Sequence, residues 1–433
     1  MPFEHAPGAT KRIAIIGGGI SGLGAAYRLA PYHNVTLFEA EPRLGGHART
    51  VTAGRNSNLP VDTGFLVFNY HNYPQMTQMF DHLDVPVIES DMSFGASING
   101  GWLEYGLRGM PAVFAQKRNY ARPQYLKMLR DILHFNKNAV AMANDPNITI
   151  GELLTQMGTG RWFRDYYLAP FTGAIWSTPT TGILDFPAQA LITFMKNHAL
   201  LSYEGQHQWY TVKGGSREYV SRMTTHLDKS GVDMRLFAPI DAIRRNPPGV
   251  EVKAQGGEWE QFDDVVMATH SDISLSLLSD AAPHERQALS AVGYQPNEMV
   301  LHADTGMMPN RRAAWSSWVY TEDANKRSDR IDLTYWINNL QPHLPRDDHC
   351  FVTLNTQRDI DPKLIYDTCT FHHPVFDLAA LNAQKTITAF NGMNNTWFCG
   401  AWMRNGFHED GFATALETAD ALLAKDHVLV AAE

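Results

Sequence analysis

The chain has 433 residues, of which 44% are hydrophobic and 19% charged, so it can bury a large core and is long enough for two domains. A net charge of −9 argues against a general nucleic-acid-binding protein. Three cysteines without a metal-binding or redox spacing favour a reducing compartment. The N-terminus lacks a signal-sequence pattern, and no apolar run reaches the ~18 residues of a membrane helix, so we expect a cytoplasmic protein.

The first predicted elements are a strand, a glycine-rich turn and a helix in KRIAIIGGGISGLGAAYRLA. Residues 13–16 are a continuous apolar run, typical of a parallel strand buried on both faces. Gly17, Gly19 and Gly22 then give the pattern G-x-G-x-x-G. The first glycine permits the tight turn, the second lets the backbone approach a pyrophosphate, and the third lets the helix pack on the strand. The helix N-terminus would add N–H donors for the pyrophosphate.

Asn34–Phe38 is the second predicted strand, and Glu39 follows it directly. An acid about 20 residues after such a glycine turn takes the ribose hydroxyls of a bound dinucleotide. The glycine pattern alone could be an ordinary turn, but strand, helix, strand and acid occur here in the required order. They predict a Rossmann-like dinucleotide-binding unit.

The stretch FEAEPRLGGHART carries a second glycine pair that a plain dinucleotide-binding unit does not need. Gly45, Gly46, Arg49 and Thr50 resemble the G-G-R-x-x-[ST] element of two-dinucleotide-binding-domain flavoproteins. The resemblance implies that this loop continues an FAD site along the pyrophosphate and the ribityl chain. His47 stands where that family usually has arginine, and the alternative interpretation of the stretch is a surface turn.

Four later segments resemble the same proteins in the same order: VDTGFLVFN, VKGGSREYV, FDDVVMATH and WFCGAWMRNGFHEDGFATALETAD. Together with the glycine motifs they make the chain similar to the flavin-containing amine oxidase and phytoene desaturase superfamily. The resemblance implies an α/β fold, in which a Rossmann-like FAD-binding domain is interleaved with an α+β substrate domain that contains an antiparallel sheet.

The same resemblance implies FAD as the cofactor, bound without a covalent link because no cysteine lies in a recognisable flavin-attachment context. The last segment would direct the N-terminus of its helix at the flavin, where the helix dipole stabilises negative charge. The residues predicted to bind FAD are Gly17, Gly19, Ser21, Gly22, Glu39, Ala40, Gly45, Gly46, His47, Arg49, Thr50, Gly64, Phe65, Gly400, Asp410, Gly411 and Phe412.

The order of the segments predicts a discontinuous FAD-binding domain from residues 1–105, 205–285 and 385–433. The substrate-binding domain would take residues 106–204, which have apolar positions at helical spacing, and residues 286–384, whose alternating runs indicate an antiparallel sheet. No linker separates the two domains, which suits an interleaved arrangement.

Amine-oxidising members of the superfamily carry a lysine on a substrate-domain strand, hydrogen-bonded through water to flavin N5. The corresponding strand here is predicted in NEMVLHADTGMMP, and no lysine occurs between Gly293 and Asn325. His302 and Asp304 lie in its place, and we expect His302 to act as a base or to stabilise developing charge. His71 and His408 are further candidates by motif position, although any of these histidines could be structural.

Aromatic residues crowd the predicted substrate domain. They are Trp315, Trp318, Tyr320, Tyr335 and Trp336, with Phe171 and Trp176 in the helical insert. Most of them could belong to the core. Even so, the domain offers few carboxylates for an ammonium group and much surface for an apolar chain, and long apolar tunnels are what desaturase-type members of the superfamily use.

The motifs look most like a bacterial clade of FAD-dependent proteins that are commonly encoded beside cyclopropane-fatty-acid-synthase-like methyltransferases. This resemblance implies desaturation of a methyl-branched, unsaturated fatty-acyl chain, on the route to furan fatty acids, with loss of a proton and transfer of a hydride to flavin N5. Two alternatives stay open: an amine or amino-acid oxidase that uses oxygen, and a non-catalytic FAD-binding protein. The sequence does not identify the electron acceptor.

Residues 106–137 hold seven Lys and Arg residues against one Asp, a net charge of +6 within a chain of net charge −9. A basic, partly amphipathic helical region could contact anionic lipid headgroups. The alternative is a solvated helical face. From this charge pattern and the resemblance together, we expect a lipid or fatty-acyl substrate and peripheral contact with the inner face of the membrane.

Overall fold

The computed structural model describes residues 10–145, 148–176, 180–202, 205–323 and 331–430. Within these ranges the chain forms β-strands at β1 (Arg12–Ile16), β2 (Asn34–Phe38), β3 (Thr50–Ala53), β4 (Leu59–Asp62), β5 (Val87–Ser90), β6 (Phe94–Ile98), β7 (Leu103–Gly106), β8 (Trp209–Val212), β9 (Asp233–Arg235), β10 (Ile240–Asn246), β11 (Gly249–Ala254), β12 (Trp259–Phe262), β13 (Asp264–Met267), β14 (Gly293–His302), β15 (Trp318–Thr321), β16 (Asp332–Trp336), β17 (Phe351–Leu354), β18 (Ile365–Val375) and β19 (Thr396–Phe398).

The α-helices are α1 (Ile20–Leu29), α2 (Pro74–His82), α3 (Met110–Val113), α4 (Pro123–Met142), α5 (Ile150–Met157), α6 (Arg161–Phe163), α7 (Ala169–Trp176), α8 (Ala188–Asn197), α9 (Arg217–Lys229), α10 (Ser271–Leu277), α11 (Pro283–Ser290), α12 (Ile337–Leu340), α13 (Leu378–Phe390) and α14 (His408–Val430). In the part of the chain that is described, none of them combines the length and apolar character needed to cross a membrane.

A five-stranded parallel sheet, in the order β19-β13-β1-β2-β9, forms one layer of the molecule. Ile13 and Ile15 of its central strand pack into one hydrophobic core, whereas Ala14 and Ile16 pack into another core on the opposite face. Because side chains alternate between the two faces, a strand in this position needs apolar residues throughout. Helices α1 and α14 pack together on the first face. The sheet confirms the predicted Rossmann-like fold.

A seven-stranded sheet, in the order β18-β14-β17-β16-β15-β6-β7, forms the second layer. Its strands pair antiparallel, except for the parallel pair of β15 and β6. The alternating runs predicted in residues 286–384 therefore form a sheet as expected. The sheet also takes β6 and β7, which the sequence placed in the FAD-binding segment 1–105. Every residue of these two strands is buried, because they lie between β15 and the helices from residue 110 onward.

Helices α3 to α8 cover one side of the second sheet, in agreement with the helical pattern of residues 106–204. Their buried residues, such as Tyr125 and Phe135 of α4, share one core with β6, β7 and β16. Three smaller sheets complete the described fold: β10-β11-β12, β3-β4 and β5-β8. The last of these pairs β5 with β8 and so joins residues 87–90 to the chain segment that begins at residue 209.

Candidate active site

The first glycine loop lies between β1 and α1. Gly17 has φ +104°, a conformation that favours glycine, and its N–H donates to the Phe38 carbonyl (2.8 Å). A Cβ atom on Gly22 would lie 1.8 Å from the Gly17 carbonyl oxygen, so a larger residue would push the helix off the strand. Gly19 is different: among the described residues, a Cβ atom there would meet just the Gly46 Cα, at 3.9 Å. The space in front of Gly19 is therefore open.

The second glycine pair lies directly on this first loop. The Gly45 N–H donates to the Gly18 carbonyl (2.8 Å), and a Cβ atom on Gly46 would lie 3.0 Å from the Gly19 Cα. Gly45 and Gly46 both have positive φ, so side chains are strained there as well as crowded. The two loops thus form one wall made of backbone, of the kind on which N–H groups can receive an anionic ligand.

Arg43 braces this wall from behind and was not among the predicted site residues. Its guanidinium donates to the carbonyl oxygens of Gly46 (3.0 Å), Ala48 (3.3 Å) and Leu44 (3.4 Å). These hydrogen bonds keep the carbonyl groups of the second glycine loop directed toward the Arg43 guanidinium. A basic residue two positions before the glycine pair was the available signal in the sequence.

Glu39 ends β2 and reaches the first glycine loop. Its Oε2 accepts from the Gly18 N–H (2.6 Å), and its Oε1 accepts from the Glu41 N–H (2.8 Å). The carboxylate is fixed by backbone, and both Glu39 and Ala40 line the cavity described below. Each carboxylate oxygen keeps a second lone pair for a ligand hydroxyl, which fits the predicted ribose contact.

Asp62 is a buried carboxylate that joins three separate segments. It accepts hydrogen bonds from the Ser216 N–H (2.9 Å), the Thr50 hydroxyl (2.6 Å) and the Gln341 side-chain amide (2.9 Å). Burial raises the pKa of Asp62 to about 6, although these donors oppose the shift. Thr50 serves this junction and does not line the cavity, so its predicted contact with the cofactor stays a prediction.

Arg49 does not line the cavity either. It forms an ion pair with Asp367 on β18 (2.5 Å) and donates to the Thr63 hydroxyl (3.3 Å). The ion pair connects the loop after the second glycine pair to the seven-stranded sheet. In this structure Arg49 therefore fixes the two layers relative to each other, where the sequence predicted a cofactor contact.

The loop before α14 and the first residue of that helix complete the cavity. Gly400 lines it, whereas the carboxylate of Asp410 accepts a backbone N–H from the preceding loop (2.9 Å) and so caps the helix. A Cβ atom on Gly411 would lie 2.9 Å from the Ser21 Oγ, so this glycine allows α14 to approach α1. Phe412 is buried in the core. The unpaired N–H groups and the positive dipole end of α14 thus lie beside the cavity.

Five histidines line the cavity: His47, His270, His372, His373 and His408. The ring of His47 lies 6.0 Å from that of His270 and 5.8 Å from that of His373. Burial lowers the pKa of His47 to about 3 and that of His373 to about 4, so both rings are neutral at neutral pH. The His47 Nε2 is buried and has no hydrogen-bond partner among the described residues. Within those residues, the histidines form no group that could hold a metal ion.

His408 has a supporting position. Its ring stacks on Phe65 (4.2 Å between centroids), and its Nε2 lies 2.6 Å from the Tyr219 hydroxyl. Burial lowers the pKa of His408 to about 3. His71, the other candidate by motif position, stacks on His207 (4.3 Å) and does not line the cavity.

The cavity has a volume of about 630 Å³ and is lined by residues of both layers. The glycine loops, Glu39 and the histidines form one part, which we call the cofactor wall. The second part, which we call the apolar wall, is formed by Met92, Ile175, Trp209, Trp318, Tyr335 and Leu354. Among the described residues that line the cavity, Glu39 is the one acid, and no lysine or arginine is present.

Two of the predicted aromatic residues belong to the apolar wall. Trp318 and Tyr335 meet edge to face with their centroids 5.4 Å apart. Trp315 and Trp336 pack against each other (5.4 Å) in a separate cluster around Phe351. The side chain of Trp176 lies outside the described residues.

His302 and Asp304 do not line the cavity, and the catalytic role predicted for them stays a prediction. His302 is fully buried, its Nε2 lies 2.7 Å from the Thr353 hydroxyl, and its Nδ1 accepts from the Asp304 N–H (3.1 Å). Asp304 accepts from the Gly306 N–H (2.8 Å) and closes a turn. The pairing of β14 with β18 is irregular between Leu301 and His302, and such an irregularity re-aims a side chain. Both ring nitrogens are used inside the sheet.

The structure divides the predicted cofactor-binding residues into two groups. Those that line the cavity are Gly17, Gly19, Ser21, Glu39, Ala40, Gly46, His47, Gly64, Phe65 and Gly400. Those that lie behind it are Gly22, Gly45, Arg49, Thr50, Asp410, Gly411 and Phe412. The second group shapes the walls without facing the cavity.

The residues of the cofactor wall fit FAD, the cofactor implied by the resemblance. The open backbone at Gly19 suits a diphosphate, and the carboxylate of Glu39 suits a ribose. The unpartnered Nε2 of His47 gives a polar contact at the position where the related flavoproteins have arginine.

The sequence model of the family described as flavin containing amine oxidoreductase matches residues 20–303. This chain belongs to that family. Among curated proteins, the mitochondrial protoporphyrinogen oxidase of Nicotiana tabacum is 50% identical over 50 residues, which are 11% of this chain and 10% of the tobacco enzyme. The L-amino-acid oxidase of Sistrurus catenatus edwardsii is 56% identical over 41 residues, 9% of this chain and 8% of the snake enzyme. The chain thus matches about a tenth of the length of these relatives.

Solved structures show the same fold over nearly the whole chain. A CLA-producing fatty acid isomerase from P. acnes superposes with a TM-score of 0.66 at 15% identity, covering 95% of this chain and 98% of the isomerase. Cyclohexylamine oxidase from Brevibacterium oxydans superposes with a TM-score of 0.64 at 15% identity, covering 96% and 99%. As a flavin-containing amine oxidoreductase family member, the chain is an FAD-dependent oxidoreductase.

Proposed function

We propose that this FAD-dependent oxidoreductase removes two hydrogens from an unsaturated, methyl-branched fatty-acyl chain and leaves a conjugated diene. The observation that carries the proposal is the apolar wall, which offers aromatic and aliphatic side chains next to the cofactor wall and no charged group. An acyl chain gains free energy on leaving water for such a surface.

An amine is a poor match for the same cavity. An ammonium group that leaves water needs a carboxylate or several acceptors, because an uncompensated buried charge costs several kcal/mol. Among the described lining residues the one carboxylate, Glu39, is already held by the first glycine loop. The lysine that marks amine-oxidising members is also absent from β14 and from the described residues that follow it up to Asp323.

The structural neighbours include both chemistries, so fold likeness does not decide between them. One neighbour of this fold is named a CLA-producing fatty acid isomerase, and others are named amine oxidases. The fatty acid isomerase provides a precedent for an acyl substrate in this fold. The apolar lining of this chain's own cavity favours that precedent over the amine oxidases.

In the proposed reaction the residues of the two walls would have different roles. Bound FAD would supply the acceptor for two electrons. The apolar wall would hold the acyl chain and exclude water, with the rings of Trp318 and Tyr335 against the chain. Phe65 lies beside the second glycine pair and is kept in place by the stacked, neutral ring of His408.

The test is anaerobic reduction of the purified holoprotein by two substrate panels. Phospholipids with methyl-branched unsaturated chains should bleach the flavin absorbance, with a conjugated diene as the product in mass spectrometry. Primary and secondary monoamines should leave the absorbance unchanged. Rapid bleaching by an ordinary amine, with none by the lipids, would overturn the proposal in favour of an amine oxidase.

A pair of variants ties the activity to the apolar wall. Met92→Glu places a carboxylate among the wall residues and should lower the rate of flavin reduction by lipid at least about tenfold, since a buried charge must be desolvated or protonated. Met393→Glu is the matched control, because Met393 is 57% exposed and lies outside the cavity. Both variants should retain the flavin.

A further inference from the structure

Helix α4 carries an unusual exposed face. Leu126, Leu133 and Val140 are 43%, 54% and 40% exposed and follow one another at seven-residue spacing, so they lie in a row along the helix. Arg130 and Lys137 are exposed between them in the sequence. At about 100° per residue, all five fall within an arc of roughly 80°. The face thus alternates apolar and cationic side chains.

The opposite face of α4 is ordinary core. Tyr125, Met128 and Phe135 are fully buried against the helical layer and the second sheet. Asp131, the one acid in residues 106–137, is buried, accepts from the Gly160 N–H (2.8 Å) and pairs with Lys127 (2.6 Å). Its other oxygen lies 3.9 Å from the Arg130 guanidinium, but the Arg130 side chain is still 76% exposed. The exposed face therefore presents little negative charge against its cations.

Further exposed apolar residues continue this face beyond the start of α4. The guanidinium of Arg122, one turn before Leu126, lies over the ring of Trp102 (4.8 Å), which is 36% exposed. Tyr120 is 59% exposed and stacks on Phe114 (3.9 Å). Of the thirteen large hydrophobic residues exposed in the described chain, six lie between Trp102 and Val140, so exposure is concentrated here.

We propose that this surface, the α4 docking face, binds anionic phospholipid bilayers with α4 lying in the plane of the headgroups. The cations of this face complement anionic headgroups, and apolar side chains alternate with them along the row. The charged groups of Arg130 and Lys137 can reach lipid phosphates, while the aliphatic parts of these side chains and the neighbouring leucines enter the boundary between headgroups and acyl chains. Trp and Tyr at the edge of such a surface are typical of the membrane interface.

A protein partner fits this face less well. The cores of protein–protein interfaces are depleted of lysine, whereas Lys137 lies between Leu133 and Val140 in the apolar row. A bilayer accommodates both kinds of side chain at different depths. The proposal concerns a surface outside the cavity and holds for any substrate.

The docking face also lies close to the cavity. Helix α4 packs on α8, and Phe194 of α8 stacks on Phe407 (5.3 Å), which lines the cavity. Helix α8 therefore connects α4 to the part of the cavity lined by Phe407. A lipid-bound enzyme would have its cavity near the membrane.

The experiment is co-sedimentation of the holoprotein with vesicles of phosphatidylcholine alone and of an equimolar mixture with phosphatidylglycerol. We expect binding to the mixed vesicles and weak binding to the neutral ones. Arg130→Glu with Lys137→Glu should weaken binding about thirtyfold or more, because two headgroup contacts are lost. Leu126→Gln with Leu133→Gln should weaken it about tenfold.

Matched controls lie elsewhere on the surface. Lys229→Glu with Lys385→Glu carries the same change of net charge, and Leu378→Gln with Met393→Gln removes two exposed apolar residues. Both controls should bind the mixed vesicles like the wild type. About 0.5 M salt should weaken wild-type binding without abolishing it, because the apolar contacts are not screened.

Several results would overturn the proposal. Wild-type protein that does not sediment with the mixed vesicles, or docking-face variants that bind like the wild type, would do so. A dimer in light scattering that Leu126→Gln with Leu133→Gln converts to a monomer, without vesicle binding by either protein, would assign the face to self-association.

Discussion

The two walls of the cavity are built from different parts of the polypeptide. The two glycine loops of the cofactor wall present backbone to the cavity, and they lie within thirty residues of each other in the sequence. The apolar wall consists of side chains from segments as far apart as Met92 and Leu354. A backbone wall tolerates no added side chain, whereas a side-chain wall can change one residue at a time. Substrate preference can therefore diverge while the cofactor is kept.

The largest predicted effect distinguishes Gly19, which faces the cavity, from Gly22, which packs against the first glycine loop. Gly19→Val should give a folded protein without flavin, because its side chain would occupy the open space before the backbone wall. Gly22→Val should fail to fold, because its Cβ would lie 1.8 Å from the Gly17 carbonyl oxygen. Flavin absorbance and circular dichroism of the purified proteins measure the two outcomes.

Gly293→Val is the matched control, since a Cβ atom at Gly293 meets no atom within 4 Å. It should fold and retain the flavin. A Gly19→Val protein with full flavin content would show that the cofactor does not lie on the backbone wall.

The second prediction concerns the buried histidines of the cofactor wall. In the folded state the pKa of His47 is lowered to about 3 by burial, while the unfolded chain titrates near 6.5. The folded protein therefore loses unfolding free energy as the pH falls below about 6.5, because His47 takes up a proton more readily in the unfolded chain. At about pH 5 the loss is roughly 2 kcal/mol for such a histidine.

We expect His47→Gln to reduce the loss of unfolding free energy between about pH 7 and pH 5 by that amount. His134→Gln, on the exposed side of α4, is the control and should leave the pH dependence unchanged. Denaturant unfolding at the two pH values measures both. Equal acid sensitivity of His47→Gln and the wild type would mean that His47 titrates normally in the folded protein.

The third prediction tests the position of His302 inside the sheet. Thr353→Val removes the hydroxyl that lies 2.7 Å from the His302 Nε2 and 2.9 Å from the Thr334 hydroxyl. Leaving these groups unpaired should cost about 1–3 kcal/mol of unfolding free energy, with flavin content and turnover unchanged. Thr370→Val, at an exposed site on β18, should cost less than about 0.5 kcal/mol. A fall in turnover without a loss of stability would return His302 to a catalytic role.

The smallest expected effect concerns Arg49. Its ion pair with Asp367 is about one-fifth exposed on each side, so Arg49→Met should cost about 1 kcal/mol at most. Flavin affinity, measured by titration of the apoprotein with FAD, should stay within a factor of about three. Asp367→Asn should behave in the same way. A large loss of affinity in Arg49→Met alone would place Arg49 against the cofactor after all.

The backbone wall could be predicted from the sequence because its determinants are local. Gly17, Gly19 and Glu39 act within one strand–turn–helix–strand unit, and their spacing follows from its geometry. The role of Arg49 was not predictable in this way, because its partner Asp367 lies 318 residues further along the chain. For His302, the sequence located the strand but not the irregular pairing beside it or the contact of its ring with Thr353.

The sequence predicted that the apolar wall would be rich in aromatic residues, but it did not identify which aromatic residues form it. Aromatic richness of the substrate domain was visible, and Trp318 and Tyr335 do line the cavity. Trp315 and Trp336 are equally aromatic and pack elsewhere. Which face of a strand meets a cavity depends on strand register, and one residue of slip exchanges the two faces.

The interleaving of the chain also affects its biosynthesis. The glycine loops leave the ribosome early, but α14 and β19, which pack on α1 and beside β13, come among the last residues. The Glu409 carboxylate of α14 accepts from the N–H groups of Gln75 (2.9 Å) and Met76 (3.0 Å), which joins late chain to early chain. Nearly the whole polypeptide must therefore be translated before this flavin pocket can close, so cofactor capture follows synthesis.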